Sequence, residues 1–216
     1  MENSRNFYIN GMWTAPMAGH DFDVVDPSTE EVADTIVLGG QADTDAAVAA
    51  AKAAFPKWRL SSKAERLELM QSILDVYMRR SDEIGAVIST EMGAPIDMSK
   101  VSQSGTGSFH LKAFIASLKD YEFEHALRAG EDDTRIIHEP IGVCALITPW
   151  NWPMNQIALK VIPALATGCT MVLKPSEQSP LSAVLFSEIM DEAGVPAGVY
   201  NMLHGDGAGV GSQLSV

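Results

Sequence analysis

The sequence predicts an α/β protein with a Rossmann-like parallel sheet and flanking helices, preceded by β-hairpins and a helical segment. Three observations support this fold class. Turn signals interrupt short strand-like segments at the start of the chain, helical patterns follow over residues 44–120, and apolar strands alternate with helices after residue 141. Strands that are apolar on both faces and alternate with helices are typical of a parallel sheet with right-handed crossovers.

Two β-hairpins are predicted at the start of the chain. The segment FYINGMW (7–13) is interrupted by Asn10-Gly11, and this dipeptide is the strongest short-range hairpin signal. The segment 22–39 repeats the arrangement, with Asp26-Pro27-Ser28 as its turn. We therefore expect two antiparallel strand pairs.

Helices are predicted over most of the next eighty residues. Four segments have the composition or the apolar spacing of helices, and they are residues 44–58, 61–80, 81–95 and about 97–120. Ser62 and Glu65 form a capping box for the second helix, and Gly93, with Pro95 just beyond it, closes the third. The segment SGTGS (104–108) is expected to weaken the fourth helix.

The remaining chain changes to strands. YEFEHALR and TRIIHEPIG are predicted to be two strands around the polar loop AGEDD. Strands and glycine-terminated helices then alternate as IGVCALIT, PMNQIALKVIPALATG, CTMVLK, SPLSAVLFSEIMDEAG and VYNMLHG, followed by a helical start at GVGSQLSV. We divide the chain into hairpins and helices (1–120), a strand pair (121–140) and the first β-α units of the sheet (141–216), and it looks like the front part of something longer.

The composition disfavours nucleic acid and membrane partners. The formal charge is −13, and the acidic residues are spread over helices, which disfavours binding to a phosphate backbone. The start of the chain, MENSRNFYIN, has no basic segment with an apolar stretch behind it, and no apolar run approaches the ~18 residues that a membrane span needs. We expect a cytoplasmic protein.

The cysteines and histidines predict no metal site. Cys144 and Cys169 lie in apolar segments without CxxC spacing, so we expect two small, reduced core residues without a disulfide. The five histidines fall at no ligand-like spacing, and they are residues 20, 110, 125, 138 and 204.

Chemically unusual segments follow each of the three strands of the predicted parallel sheet. They are TPWNWP, KPSE and HGDGAGVG, and ligands of such sheets bind outside the carboxyl ends of the strands. In KPSE, Lys174 and Glu177 could grip a vicinal diol, and an acidic side chain on a ribose favours NAD over NADP. Alternatively, Lys174 is the polar end of a strand and Glu177 the solvated start of a helix.

The segment HGDGAGVG is only a weak dinucleotide signal. Gly205 and Gly207 suit the GxGxxG pattern, but the third glycine position is Val210, or Ser212 if the pattern starts at Gly207. Glycines with a helix behind them can approach a pyrophosphate or an adenosine closely. A flexible connection between strand and helix explains them equally well.

The segment TPWNWP has a partial structural explanation. Pro149 ends the strand, Pro153 suits the first position of the next helix, and the indoles can pack under a loop. This explanation does not account for Asn151. Its side-chain amide is a neutral donor that could stabilise a developing oxyanion, or it could simply cap the helix.

Together these segments resemble the aldehyde dehydrogenase superfamily over essentially the whole chain. The matching motifs occur in the family's order and spacing, and they are YINGMW, DPSTEE, AFPKW, EMGAP, EPIGVCALITPWNWP, the K-x-x-P-A-L-x-x-G of Lys160 to Gly168, and MVLKPSEQSPLSA. PWN and KPSE together are highly specific, whereas neither is so alone.

The resemblance implies roles for residues at the strand ends. Asn151 matches the oxyanion-hole asparagine, whose amide stabilises the tetrahedral thiohemiacetal formed from the aldehyde. Lys160 matches a lysine near the catalytic centre, although a solvated helix lysine is a fair alternative. The implied cofactor-binding residues are Ile147, Thr148, Pro149, Trp150, Lys174, Ser176, Glu177, Gly207 and Val210.

Within that set, the resemblance implies a distinct place for each group. Lys174 and Glu177 match the pair that holds the adenosine ribose, and residues 147–150 match the strand end that lines the cofactor cleft. Gly207 and Val210 fall where the helix after the third strand faces the adenine. Because Glu177 should repel a 2′-phosphate, we expect NAD rather than NADP.

The resemblance also implies what this chain does not supply. The family's nucleophilic cysteine and general-base glutamate lie beyond residue 216. We therefore expect a coenzyme-binding part that is inactive alone. The parent enzyme would convert an aldehyde, NAD⁺ and water to a carboxylic acid and NADH. Residues 121–140 match a projecting hairpin used for oligomerisation, which implies a homodimer or homotetramer. The alternative is a short, non-catalytic protein that binds a nucleotide or pairs with other subunits. The sequence does not identify the aldehyde.

Overall fold

The computed structural model describes residues 1–130 and 133–215. The strands are β1 (Phe7–Ile9), β2 (Met12–Thr14), β3 (Gly19–Asp26), β4 (Glu31–Gly39), β5 (Glu124–Ala126), β6 (Arg135–Ile137), β7 (Val143–Ile147), β8 (Thr170–Lys174) and β9 (Tyr200–Met202). The helices are α1 (Gln41–Trp58), α2 (Lys63–Arg79), α3 (Ser81–Met92), α4 (Ile96–Met98), α5 (Ser104–Asp120), α6 (Pro153–Ala166) and α7 (Leu181–Glu192). A π-helical segment, Ser99–Gln103, joins α4 to α5, and a second, Gly207–Gly211, follows β9.

The central sheet has the strand order β2-β1-β9-β8-β7. Strands β7, β8 and β9 are parallel neighbours, which confirms the predicted parallel sheet with helical connections. Strand β1 extends this sheet on its β9 side, where Tyr8 pairs with Met202 in the antiparallel direction. The first predicted hairpin therefore belongs to the main sheet, and sequence patterns cannot reveal so distant a pairing.

Helices cover both faces of the sheet, as the fold class predicts. On one face, Met171 and Leu173 of β8 belong to the larger hydrophobic core, which includes residues of α2, α5, α6 and α7. On the other face, Val172 of β8 packs with Ala47 and Ala51 of α1. The alternation along β8 follows from the two-residue repeat of a strand, and it explains why all five of its residues are buried.

The local turn and cap predictions for the first half of the chain are confirmed. Asn10 and Gly11 both have positive φ, 54° and 74°, as a tight turn between antiparallel strands requires. The Asp26 carboxylate accepts hydrogen bonds from the backbone N–H and the hydroxyl of Ser28 in the second hairpin. Ser62 and Glu65 form the expected capping box of α2.

The glycines expected to weaken the fourth helix instead allow close packing. Helix α5 begins at Ser104 and runs through SGTGS, while the irregular π-helical turn lies just before it. A Cβ atom on Gly107 would lie only 2.1 Å from the hydroxyl oxygen of Tyr77, which donates a hydrogen bond to the carbonyl of Ser104. The buried tyrosine of α2 therefore occupies the space that these small residues leave.

Strand β7 differs from the buried apolar strand that the sequence predicts. It lies at the edge of the sheet, and of its five residues only Leu146 is buried. Strands β5 and β6 form a separate antiparallel pair, as predicted, and Glu131 and Asp132 of the polar loop lie outside the described residues. Among the helices described, none combines the length and apolar character that crossing a bilayer requires.

Candidate functional site

The three segments singled out in the sequence meet at one edge of the sheet. Strands β7, β8 and β9 are parallel, so their carboxyl ends lie side by side. The backbone N–H of Thr148 donates to the carbonyl of Lys174 over 3.1 Å, and the N–H of Leu203 donates to the carbonyl of Leu173 over 3.1 Å. These bonds hold the starts of the following loops in register.

Lys174 is buried at the centre of this edge. Its Nζ donates to the carbonyl oxygens of Pro175 and Gly205, over 2.8 Å and 2.6 Å, and lies 3.6 Å from a carboxylate oxygen of Glu177. Burial lowers the pKa of Lys174, and the nearby Glu177 and Asp206 carboxylates oppose that shift. The ammonium group thus links the loop after β8 to the loop after β9, which a solvated strand end would not do.

The loop after β8 also contacts the loop after β7. Ser176 is nearly buried, and its hydroxyl oxygen accepts a hydrogen bond from the N–H of Gln178 inside the loop. The hydroxyl of Ser179 donates to the carbonyl of Trp150 over 3.2 Å. Glu177 remains partly exposed, with 26% of its side-chain surface accessible. Its carboxylate is therefore the acidic group that this loop presents outward beside Lys174.

The glycine-rich loop after β9 has one packed side and one open side. A carboxylate oxygen of Asp206 accepts a hydrogen bond from the N–H of Gly209, at the start of the π-helical segment. A Cβ atom on Gly205 would lie 2.4 Å from the side chain of Val210, which is fully buried. A Cβ atom on Gly207 would meet nothing within 4 Å. Gly207 therefore lies on the open side, and Val210 supports the loop from the core.

The segment TPWNWP forms an exposed rim beside these loops. Ile147, Pro149 and Trp150 are exposed and Thr148 is buried. The Trp150 indole is 54% exposed, so it does not pack under a loop as the sequence suggested. A cleft of about 500 Å³ lies next to this rim, between β3 and the loops after β7 and β8, with Trp150 and Glu177 in its wall. The rim offers apolar surface to a ligand.

Asn151 does not act as the cap of the following helix. Pro153 is the first residue of α6, as predicted, and Trp152 occupies the N-cap position. In the described part of the chain, no side chain makes a capping hydrogen bond there. Asn151 is exposed at the edge of the sheet. The interpretation of Asn151 as a helix cap is therefore not supported, because the hydrogen bond that it requires is not made.

Lys160 lies further along α6. Its Nζ donates to the side-chain oxygen of Gln156, one turn earlier, over 3.3 Å. With a rise of 1.5 Å per residue, Lys160 lies about 10 Å along the helix axis from Pro153. The hydrogen bond of Lys160 stays within α6, whereas that of Lys174 reaches the loop after β9.

Several contacts of the site region were not predicted from the sequence. Trp152 donates from its indole nitrogen to the hydroxyl oxygen of Thr106 over 3.1 Å, and His110 shares a 2.8 Å hydrogen bond with Asn155. Glu91 is fully buried, and its carboxylate accepts hydrogen bonds from two backbone N–H groups at the start of α7. These contacts join residues that are far apart in the chain, so no motif predicts them.

Metal ligands and cysteines complete the description of the site. Within residues 1–130 and 133–215, no group of three or more His, Cys, Asp and Glu side chains is placed to hold a metal ion. Cys144 and Cys169 are free thiols, and both lie near the opposite ends of their strands from this site. Cys169 is a buried core residue, as predicted, whereas Cys144 is only partly buried and packs against that core.

Comparison with known proteins gives consistent matches. The family model described as "Aldehyde dehydrogenase family" matches residues 13–216. A 3-succinoylsemialdehyde-pyridine dehydrogenase of a Pseudomonas species is 47% identical, over 100% of this chain and 44% of that protein. A solved aldehyde dehydrogenase of Bartonella henselae is 54% identical, with a TM-score of 0.97 over 98% of this chain and 44% of that one.

A further solved relative was crystallised with ligands. A mutant of aldehyde dehydrogenase C from Pseudomonas syringae, in complex with NAD⁺ and octanal, is 45% identical with a TM-score of 0.94. The alignment covers 98% of this chain and 43% of that structure. The chain thus spans less than half the length of each of these three relatives.

Proposed function

The chain belongs to the aldehyde dehydrogenase family, and from this membership we propose that it forms the coenzyme cleft and supplies the oxyanion-stabilising amide of an enzyme that oxidises an aldehyde to a carboxylic acid with NAD⁺. The observation that carries this proposal is the meeting of Asn151, the Lys174 and Glu177 pair, and the open Gly207 side of a loop at one sheet edge. A neutral amide, a donor with an acceptor and an open glycine loop together suit a dinucleotide beside a reacting carbonyl.

The donor set fits a dinucleotide. Lys174 and Glu177 place a cationic donor and a carboxylate acceptor 3.6 Å apart, which suits the two hydroxyls of a ribose. The residues that would hold the coenzyme are Ile147, Thr148, Pro149, Trp150, Lys174, Ser176, Glu177 and Gly207, with Val210 packed behind them. When bound, NAD⁺ would accept a hydride from the substrate carbon.

Glu177 supports NAD over NADP. Its carboxylate is partly exposed at the loop surface, and the neighbouring ammonium group of Lys174 is already hydrogen-bonded to two carbonyl oxygens. A 2′-phosphate placed on the same ribose would meet a negative charge. We therefore expect NAD rather than NADP as the coenzyme.

Asn151 would stabilise negative charge on the aldehyde oxygen. Its amide is uncharged, exposed and free of the helix-capping role at the edge where the coenzyme would lie. A donor of this kind aimed at a developing oxyanion stabilises the transition state more than the ground state. Lys160, on helix α6 that follows Asn151, would lie near the catalytic centre without contacting the coenzyme.

The nucleophile would come from outside the described residues. Cys144 lies near the amino end of β7, about 15 Å along the strand direction from the loop that carries Asn151. Cys169 precedes β8 at the same far edge. Neither thiol can attack an aldehyde held at Asn151, so the 216-residue chain alone should not oxidise aldehydes.

The hairpin of β5 and β6 would serve subunit assembly. It forms a two-stranded sheet of its own and exposes apolar side chains, including Ile137 and Leu127. Exposed apolar groups on a separate hairpin are typical of surfaces that another chain covers. We expect a homodimer or homotetramer.

A calorimetric titration of the 216-residue chain with NAD⁺ tests the coenzyme part of the proposal. Saturable binding of one NAD⁺ per chain, weaker binding of NADP⁺, and no aldehyde oxidation on adding octanal are expected. Heat release that never saturates, from a chain shown by circular dichroism to be folded, would count against a coenzyme site in these residues. Aldehyde oxidation by the pure chain would contradict the assignment of the nucleophile.

A further inference from the structure

Two cysteines that are distant in sequence face each other across neighbouring strands. Cys144 of β7 lies in register with Met171 of β8. Cys169 precedes Met171 by two residues, and side chains two apart along a strand lie on the same face of a sheet. All three belong to the same core or pack against it. The two thiols are close enough for each to shift the pKa of the other.

A buried guanidinium lies beside Cys169. Arg66 of α2 is 5% exposed, and it donates to the hydroxyl oxygen of Ser61 and to the carbonyls of Ala166 and Arg59. A Cβ atom on Gly168 would lie 2.5 Å from one of its nitrogens, so the guanidinium packs directly against the residue before Cys169. Within residues 1–130 and 133–215, no carboxylate forms a salt bridge with Arg66.

This environment favours the thiolate form of Cys169. The hydrogen bond from Cys144 lowers the pKa of the Cys169 thiol, burial opposes the shift, and Thr167 and the backbone N–H groups of Gly142 and Ile141 lower the pKa further. The hydroxyl of Thr167 lies 3.6 Å from the sulfur. The positive charge of Arg66 acts in the same direction. Donors and a cation around one sulfur distinguish a reactive cysteine from an inert core residue.

Access to the pair comes from β7. Cys169 is buried, whereas Cys144 is only partly buried. A small oxidant of about the size of water can therefore reach the pair from the Cys144 side. The two side chains lie on the same face of neighbouring strands, so the second covalent step joins groups that the sheet already holds near each other.

We propose that Cys144 and Cys169 are a peroxide-reactive thiol pair that closes reversibly into a disulfide between β7 and β8. The Cys169 thiolate attacks one oxygen of hydrogen peroxide; an S–O bond forms, the O–O bond breaks and hydroxide leaves, so the sulfur is oxidised to a sulfenic acid. The Cys144 sulfur then attacks the sulfenic sulfur. The S–S bond forms, the S–O bond breaks, and the hydroxyl group leaves as water with the proton of Cys144. A dithiol reductant reverses the reaction.

Peptide mapping of the oxidised chain tests the pair directly. The reduced 216-residue protein is treated with one equivalent of hydrogen peroxide, blocked with N-ethylmaleimide and digested without reductant. The expected product is a linked pair of peptides that contain Cys144 and Cys169, two hydrogens lighter than their sum, which dithiothreitol separates. Neither coenzyme nor aldehyde is present, so the outcome is independent of the proposed function.

Two single variants resolve the order of the steps. Cys144→Ser should stop at a sulfenic acid on Cys169, which dimedone traps, because the resolving thiol is gone. Cys169→Ser should react with peroxide at least about tenfold more slowly at neutral pH, since the remaining thiol of Cys144 is largely protonated. A thermal melt establishes whether each variant is folded. If a variant does not fold, the peptide mapping of the wild-type chain still decides whether the disulfide forms.

Three results would overturn the proposal. They are disulfides only between different chains, sulfinic acid without any intrachain link, and full reaction of both thiols with N-ethylmaleimide after peroxide treatment. Each would mean that the proximity of the two thiols serves packing alone.

Discussion

The indole N–H of Trp152 donates a 3.1 Å hydrogen bond to the hydroxyl oxygen of Thr106, and this bond fastens the start of α6 to α5. Trp152 directly follows Asn151, so the anchor acts on the residue next to the proposed oxyanion donor. A second bond one turn later, between Asn155 and His110, reinforces the contact between the same two helices. The position of the Asn151 amide therefore depends on side chains some fifty residues earlier.

A double-mutant cycle should detect this anchor. Thr106→Val and Trp152→Phe each remove one partner of the hydrogen bond, and we expect a coupling of about 1 kcal/mol in the free energy of unfolding, which is typical of one such bond. Urea unfolding of the two single variants and the double variant measures the coupling. Thr90→Val, on the surface of α3, is the matched control and should not couple to Trp152→Phe. Strictly additive effects of the first pair would show that the bond contributes nothing.

Asn151→Ala should lower the turnover of an active enzyme that contains this segment. The amide is proposed to bind the oxyanion, and loss of one such donor typically reduces kcat by ~10²–10³-fold. Steady-state kinetics with a saturating aldehyde measure the effect. Asn155→Ala removes an amide in the first turn of α6 and loosens the anchor described above, so it should lower kcat less than Asn151→Ala does. Similar losses in both variants would point to damage of α6 rather than to loss of an oxyanion donor.

Glu177→Gln should weaken the preference for NAD⁺ over NADP⁺. The variant removes a negative charge next to the proposed ribose site, and at a separation of about 4 Å this repulsion is worth about 1–2 kcal/mol near a surface, or roughly tenfold in the ratio of dissociation constants. Calorimetric titrations with both dinucleotides give that ratio. Glu192→Gln removes a carboxylate at the far end of α7 and should leave the ratio unchanged. An unchanged ratio in Glu177→Gln would place the ribose elsewhere.

Gly205→Ala and Gly207→Ala should separate loop packing from coenzyme binding. The added methyl group at position 205 would press on Val210 from 2.4 Å, and such overpacking typically costs about 1–3 kcal/mol. The methyl group at position 207 meets no neighbour within 4 Å, so it should leave the free energy of unfolding unchanged while weakening NAD⁺ binding. Thermal melts and NAD⁺ titrations of both variants measure the two effects. Equal destabilisation by both substitutions is the result that would contradict this division.

Glu91 should make the stability of the chain depend on pH. Burial raises its pKa from 4.5 to about 7, and its hydrogen bonds with Ser182 and Leu181 only partly oppose that shift. The folded chain thus keeps a proton that the unfolded chain loses, so this contribution to stability is complete below pH 4.5 and is lost as the pH rises to about 7. Glu91→Gln mimics the protonated acid. Urea unfolding should find it close to wild type at pH 5 and more stable by up to about 3 kcal/mol at pH 8.

The same pair of measurements can also contradict this account of Glu91. Other groups titrate in both proteins, so the quantity that matters is the difference between variant and wild type at each pH. A difference that does not change between pH 5 and pH 8 would mean that Glu91 is ionised in the folded chain over the whole range.

Local features of the fold could be predicted because the residues responsible lie within a few positions of one another. The Asn10-Gly11 turn, the Ser62 and Glu65 capping box and the position of Pro153 at the start of α6 all follow from backbone preferences of single residues. The placement of Lys174 and Glu177 at a strand end follows in the same way, because apolar strand patterns end where charged residues begin.

Contacts across long sequence distances could not be predicted in this way. Nothing in the sequence around Glu91 indicates that its carboxylate lies at the start of α7, ninety residues later. The placement of Cys144 and Cys169 on one face of the sheet requires the register of β7 and β8, which no spacing rule for cysteine pairs includes. The glycines of SGTGS suggest a weak helix until Tyr77 is seen to fill the space beside Gly107.

The pairing of β1 with β9 has a consequence for how the chain folds. Tyr8 and Met202 are far apart in the sequence, so β1 can pair with β9 only after nearly two hundred further residues have been synthesised. At about 5–20 residues per second, a ribosome needs on the order of ten seconds or more to expose both. During that time the edge of β1 that later pairs with β9 is available to other strands. Pairing of β1 with β9 is therefore a late step in folding, and non-local strand pairing of this kind is slow.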